Sequence, residues 1–140
     1  MPPKKISNSV FFAEVLEQLA VNKEVTIPLR GTSMLPLLNE KHHNLVLSSQ
    51  FGELQKGDIV LFRLNDSYIL HRIRKIEGEK IFTQGDAVPY GEICTKNDVV
   101  AILVKIIDKR NGNVIDCKSK SWQLKSKKIL LKKTLKRIFR

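Results

Sequence analysis

Six short runs rich in β-branched and aliphatic residues dominate this chain, and segments that favour turns separate them. The runs occupy residues 24–29, 44–49, 58–64, 68–76, 80–84 and 99–108. Glycine, aspartate and asparagine are common in the segments between them, and these residues favour tight turns. A chain of 140 residues with 42% apolar content can bury one core. The pattern predicts one mostly β, antiparallel domain that is closed or folded over to protect its edges.

Both ends of the chain change to helical spacing. Between residues 9 and 22, the apolar positions that recur at one face of a helix are Phe12, Val15, Leu16 and Leu19. After residue 119, a helix would carry an apolar face at Leu131, Leu135, Ile138 and, at its edge, Phe139, and a basic face at Lys132, Lys133, Lys136, Arg137 and Arg140. We therefore predict a short N-terminal helix, a domain at residues 1–117 and a basic amphipathic tail at residues 118–140.

Nearly all of the net charge of +11 is located in this tail. Residues 118–140 hold ten Lys/Arg and no acid, whereas residues 1–117 hold fifteen bases and fourteen acids. Three roles are open for the tail: binding an anionic membrane surface, packing on the domain or a partner, and binding nucleic acid. Nucleic acid is the disfavoured partner, because an apolar stripe contributes nothing at phosphates and no aromatic stacking platform accompanies it.

The cysteine count and the hydropathy indicate the cellular location of the chain. Cys94 and Cys117 allow at most one disulfide, so we expect buried thiols in a reducing compartment. No run approaches the roughly 18 apolar residues that span a bilayer, and Glu14 and Glu17 interrupt the first apolar stretch. We expect no signal peptide and no transmembrane segment, and a cytoplasmic or peripheral membrane location.

The sequence RGTSMLP at residues 30–36 places Ser33 on a turn directly after a strand-like run. A serine hydroxyl attacks an amide only with a base in reach and with donors for the oxyanion. His71 lies mid-strand on an otherwise apolar face, where an imidazole needs a hydrogen-bond partner, and Asp86 follows the next strand. These residues fit a Ser–His–Asp triad, or instead a turn serine, a hydrogen-bonded core histidine and an Asx-turn aspartate.

Other ionisable residues are weaker candidates for chemistry. His42 and His43 are adjacent on an extended chain, so their rings point apart, and no third metal ligand is near in sequence. Lys75 and Lys80 are rival bases, but both lie beside glutamates at strand ends, where a solvated lysine is ordinary. We expect no metal and no cofactor.

Five segments resemble, in order and approximate spacing, the type I signal peptidase family: GTSMLPLL, KGDIVLFR, YILHRI, FTQGDAVPYGE and VVAILVKI. The resemblance spans about residues 25–107 and extends to the wider clan of self-cleaving SOS-response repressors. LHRI at His71 is similar to the base-carrying strand of the endoplasmic-reticulum, archaeal and sporulation-type enzymes. Residues 85–87, Gly-Asp-Ala, are similar to the Gly-Asp box of that subtype. The 38-residue interval from Ser33 to His71 fits the clan.

The resemblance implies a signal-peptidase-like β fold and a serine endopeptidase that cleaves a precursor protein or peptide after small residues. In that family Ser33 would be the nucleophile and His71 the base. Asp86 would support the imidazole, with Glu92 as the open alternative. The oxyanion and the substrate would lie near Thr32, the Ser33 backbone and Met34, although Met34 also fits a core position.

The chain departs from this family at two points. Gly31 lacks the hydroxyl that some members carry two residues before the nucleophile. A membrane anchor usually precedes the Ser-Met box, but here the preceding thirty or so residues contain an amphipathic helix. The tail or a partner would replace the anchor, or the enzyme would mature a soluble substrate in the cytoplasm. Two alternative functions stay open: a self-cleaving-repressor-like regulatory protease, disfavoured by the short N-terminal segment, and an inactive binding module of the same fold.

Overall fold

A computed structural model describes residues 8–132 of the chain. Helix α1 (Asn8–Val21) opens the fold and helix α2 (Lys120–Lys132) follows the last strand. The strands between them are β1 (Glu24–Pro28), β2 (His43–Ser48), β3 (Ile59–Leu64), β4 (Ser67–Glu77), β5 (Lys80–Gln84), β6 (Gly91–Thr95), β7 (Val99–Asp108) and β8 (Val114–Asp116). A single 3-10 turn at Lys96–Asp98 joins β6 to β7.

The strands form one antiparallel sheet in the order β1-β2-β7-β3-β4-β5-β6, with β8 paired to β7. The prediction of a mostly β, antiparallel domain with a short N-terminal helix is confirmed. All six predicted runs form strands. Strands β6 and β8 are not among the predicted runs. Their patterns are weak, because β8 has only three residues and GEICT in β6 carries few β-branched or aliphatic side chains.

Apolar side chains are buried on both faces of the sheet. The helix-side core consists of Val15, Leu19, Val25, Ile27, Leu29, Met34, Leu38, Leu45, Leu47, Ile59, Leu61, Ala101, Leu103, Ile106 and Trp122. The second core consists of Leu54, Val60, Phe62, Ile73, Ile81, Cys94 and Val99. Successive residues of β3 enter different cores, as the two-residue period of a strand requires. Strand β4, which pairs with β3, therefore also presents one side chain in two to each core.

Helix α1 covers the helix-side core with its predicted apolar face. Val15 and Leu19 are buried, and Phe12 and Leu16 are half-buried against the same core. The Phe12 ring also packs on the Tyr68 ring of β4, with their centroids 5.4 Å apart.

Helix α2 packs on the domain at its Trp122 and Ser126 side chains, which are 6% and 5% exposed. The first half of the predicted tail is therefore docked on the domain that it follows. The basic and apolar positions predicted between residues 133 and 140 lie outside the described residues. Within residues 8–132, neither helix is long and apolar enough to cross a membrane.

Candidate active site

Ser33 lies on a tight turn between β1 and β2. Gly31 enters this turn with φ at +86°, a conformation that residues with a Cβ rarely adopt, and its N–H donates to Glu40 Oε2 at 2.8 Å. The Leu35 N–H donates to the Thr32 carbonyl across Ser33 at 3.2 Å. Ser33 itself is half-buried on this turn.

His71 brings its ring to this hydroxyl from the middle of β4. The residue lies opposite Val60 of β3, on the face of the second core, and is 9% exposed. Its Nε2 atom is 3.2 Å from Ser33 Oγ. The two residues that the sequence singled out at an interval of 38 positions are therefore within hydrogen-bond distance.

Glu92 holds the other side of the His71 ring. Its Oε1 atom is 2.7 Å from His71 Nδ1, and both side chains are about nine-tenths buried. A carboxylate accepts hydrogen bonds and does not donate them, so this contact places the imidazole proton on Nδ1. In the neutral ring, Nε2 then has its lone pair directed at the serine hydroxyl, which is the tautomer that a general base needs.

Thr83 in turn fixes the Glu92 carboxylate. Thr83 faces Glu92 across the β5–β6 pair, and its hydroxyl donates to Oε1 at 3.0 Å. The same oxygen atom thus receives both the imidazole N–H and the threonine O–H. Thr83 is fully buried, so its hydroxyl is shielded from exchange with water.

The Asp86 carboxylate contacts Arg72 and not His71. Its Oδ1 and Oδ2 atoms accept from Nε and NH2 of Arg72, each at 2.8 Å, and both side chains are essentially buried. Arg72 follows His71 on β4 and therefore points to the opposite face of the sheet. The expected pairing of His71 with Asp86 is corrected to His71 with Glu92, because Arg72 engages both oxygens of Asp86.

Arg72 joins three segments of the fold. Besides Asp86, it donates through NH1 to the Gly57 carbonyl at 3.0 Å and to Ser126 Oγ of α2 at 2.9 Å. A fully buried guanidinium requires such a set of acceptors, since an unpaired buried charge costs several kcal/mol. The Arg72 side chain thus holds together three segments, namely the loop after β5, the turn before β3 and helix α2.

The Gly-Asp-Ala segment at residues 85–87 packs directly on the turn that carries Ser33. A Cβ at Gly85 would lie 2.9 Å from His71 Nε2 and 2.7 Å from the Ser33 carbonyl oxygen, so only glycine fits there without displacing one of them. The Ala87 N–H donates to that same carbonyl at 2.9 Å. The three residues of the segment therefore have different structural roles: Gly85 permits the close approach, Asp86 anchors the loop to Arg72, and Ala87 supports the serine turn.

The remaining predicted residues divide between surface and core. Thr32 is exposed beside Ser33. Met34 is 2% exposed and belongs to the helix-side core, which is the core position that the sequence left open for it. Lys75 pairs with Glu77 at 2.6 Å on the surface and takes no part in the Ser33–His71 contact.

Sequence reasoning missed Thr83, Arg72 and Ser126 as supports of the site. Recognising β6 as a strand would have placed Glu92 on a neighbour of β5, although the pairing of Glu92 with Thr83 also depends on the register. Within residues 8–132, no three metal-binding side chains converge. Comparison with family models, curated proteins and solved structures finds no match for this chain.

Proposed function

We propose that this chain is a serine endopeptidase of the Ser/His type that hydrolyses a peptide bond in a precursor protein or peptide. The observation that carries the proposal is the continuous contact from Ser33 Oγ to His71 Nε2 at 3.2 Å and from His71 Nδ1 to Glu92 Oε1 at 2.7 Å. A nucleophile, a base and a group that orients the base are the three parts that acyl transfer by serine requires.

In the proposed reaction, Ser33 Oγ attacks the scissile carbonyl carbon while its proton passes to His71 Nε2. The resulting imidazolium is stabilised by the Glu92 carboxylate at Nδ1. His71 then returns the proton to the amine of the leaving peptide, which leaves an acyl ester on Ser33. A water molecule, deprotonated by the same imidazole, hydrolyses that ester and restores the enzyme.

The oxyanion of the tetrahedral intermediate is assigned to the Ser33 backbone N–H, with the exposed Thr32 side chain beside it. The Gly31 position offers no hydroxyl for this purpose. The carbonyl of Ser33 is held by the Ala87 N–H, which helps to keep the nucleophile's backbone in a fixed orientation during the reaction. By its resemblance to signal peptidases, the enzyme is proposed to cleave after small residues.

A peptide library read by mass spectrometry tests this function on many candidate sequences at once. The full chain is expected to cleave a subset of peptides, and Ser33→Ala and His71→Ala are each expected to lower the rate by about 10³-fold or more. Combining the two changes adds little further loss, because the nucleophile and its base act as one unit.

Two variants serve as matched controls. Ser67→Ala removes an exposed hydroxyl at the start of β4, and His42→Ala removes an imidazole from the loop before β2. Both are expected to retain wild-type cleavage. Circular dichroism spectra that match the wild type would show that any loss in Ser33→Ala or His71→Ala is chemical. Cleavage by Ser33→Ala or by His71→Ala at the wild-type rate would refute the proposal.

A further inference from the structure

Helix α2 uses only one of its faces to dock on the domain. Trp122 belongs to the helix-side core, and Ser126 Oγ accepts from Arg72 at 2.9 Å. One turn further, Leu130 lies over the turn at Gly57, where a Cβ would be 3.4 Å from its Cδ1 atom. These contacts fix the rotation of the helix about its axis, and they determine which side chains point away from the domain.

Two leucines occupy the middle of the outward face. Leu124 is 56% exposed and Leu131 is 85% exposed. They are seven residues apart, about two turns of helix, so they lie on one line along the surface. Exposed lysines flank this line on both sides: Lys120 and Lys127 on one, Lys125 and Lys128 on the other.

The charge of this face has one sign. Residues 118–140 hold ten Lys/Arg and no acid, while residues 1–117 are close to neutral. An exposed apolar line between two rows of lysines complements a surface that has an anionic outer layer over an apolar interior. A nucleic acid would use the lysines and leave the leucines in water, and the tryptophan that could stack on a base is buried.

We propose that the outward face of α2 docks on an anionic lipid bilayer, with Leu124 and Leu131 at the boundary between headgroups and acyl chains and the flanking lysines among the lipid phosphates. The helix stays docked on the domain when it binds. Its removal would expose Trp122 and leave the buried Arg72 without its Ser126 acceptor. This proposal does not depend on the catalytic one, because binding is measured without a substrate.

Sedimentation of the full chain with vesicles tests this surface. We expect binding to vesicles of phosphatidylcholine with phosphatidylglycerol and weak binding to phosphatidylcholine alone. Leu124→Ser with Leu131→Ser should weaken binding about tenfold at both low and high salt, because screening does not act on apolar burial. Lys125→Gln with Lys128→Gln should weaken binding about tenfold at low salt and much less at high salt.

Matched changes elsewhere on the surface provide the controls. Val21→Ser with Val114→Ser removes apolar side chains that are 85% and 58% exposed, and Lys23→Gln with Lys80→Gln removes two exposed charges. Both controls should bind as the wild type does. Thermal melts of all four variants should agree with the wild type, since none of the changed side chains is buried.

The single tryptophan reports whether α2 stays docked. Its fluorescence should not change on binding, and brominated lipids should not quench it. Quenching would overturn the docked arrangement. Equal binding to neutral and anionic vesicles, or no binding to either, would overturn the proposed surface. Silent leucine changes, together with tight binding to an oligonucleotide that falls steeply with salt, would assign the face to nucleic acid instead.

Discussion

His71 and Arg72 are neighbours on β4, and they serve the two faces of the sheet in different ways. His71 faces the second core, and its Nε2 atom is 3.2 Å from Oγ of the half-buried Ser33. Arg72 faces the helix-side core, is fully buried, and makes its contacts to Asp86, Gly57 and Ser126. In the proposed mechanism one face of the strand carries the base, and the other face anchors the segments that frame it.

The difference shows how one strand can both carry the proposed base and hold the segments around it in place. The loop that ends at Ala87 supports the Ser33 carbonyl on one side of the sheet, while Asp86 from the same loop is fastened to Arg72 on the other. Changes on the His71 face should therefore alter the rate and spare stability, whereas changes on the Arg72 face should first alter stability.

The largest effect on stability is expected from Arg72→Met. This change removes the guanidinium that pairs with the buried Asp86 carboxylate, and breaking a buried pair from one side costs about 3–5 kcal/mol of unfolding free energy. The control is Arg63→Met, since Arg63 pairs with Asp66 on the surface at 3.8 Å and should contribute about 1 kcal/mol or less. Urea denaturation measures both. Equal midpoints for the two variants would remove the distinction between the faces.

Glu92→Gln should have the reverse effect of Arg72→Met, with a large loss of activity and a small loss of stability. The amide cannot stabilise the imidazolium, and it can present its NH2 group to Nδ1 and so favour the wrong tautomer. We expect a loss of about 10²-fold or more in kcat with a small change in unfolding free energy. Asp86→Asn is the comparison: it should lower the unfolding free energy more than Glu92→Gln does. A greater loss of kcat per folded molecule in Asp86→Asn would restore Asp86 as the residue that orients His71.

The pH dependence of cleavage sharpens the identity of the base. An imidazole must be neutral to accept the serine proton, so the rate should fall as the pH is lowered from neutral into the acid range. The thiols do not contribute in this range, since burial raises the pKa of Cys94 and of Cys117 to about 12. A rate that climbs only above about pH 9 would point to a lysine base such as Lys75.

The smallest expected effect comes from removing the Thr83 hydroxyl, which donates to the Glu92 carboxylate. Thr83→Val keeps the shape of a fully buried side chain and removes the donor to Glu92 Oε1. Loss of one such hydrogen bond is expected to lower kcat about fivefold. Thr83→Ser should restore the wild-type kcat, and an unchanged kcat in Thr83→Val would reduce Thr83 to a packing role.

The sequence allows the fold class and two members of the site to be predicted, because both depend on local patterns. Alternation of apolar residues identifies six strands, and the position of Ser33 on a glycine turn with His71 mid-strand is visible in the chain itself. The alternation also predicts that His71 and Arg72 face opposite ways. The alternation does not reveal that both faces of β4 are buried at this point, since an arginine such as Arg72 is typical of a face exposed to solvent.

Glu92 is harder to place from sequence, since its strand is difficult to recognise. GEICT has few of the side chains that mark a strand, so Glu92 reads as a turn residue. Its pairing with Thr83 depends on the register of β5 and β6, which no local pattern encodes. Asp86 reads as the nearer partner because it follows β5 directly, and only the course of the loop in space turns it toward Arg72.

The role of α2 depends on a similar distinction between local pattern and packing. The leucines and lysines of residues 118–140 predict an amphipathic tail, and the sequence alone gives them three possible partners. The docked face is hard to predict because it includes one aromatic and one serine side chain, Trp122 and Ser126, whose partners are distant in sequence. That face leaves the Leu131 side of the helix open to solvent.

A trapped acyl-enzyme tests the central claim most directly. The best-cleaved library peptide, cut at its cleavage site and prepared as an activated ester, should acylate the enzyme faster than water releases the product, so that the ester accumulates. After an acid quench, intact mass and peptide mapping should place the acyl group on Ser33, and the adduct should be absent from Ser33→Ala and strongly reduced in His71→Ala. An acyl group on another residue, or continued cleavage of the parent peptide by Ser33→Ala, would contradict the account.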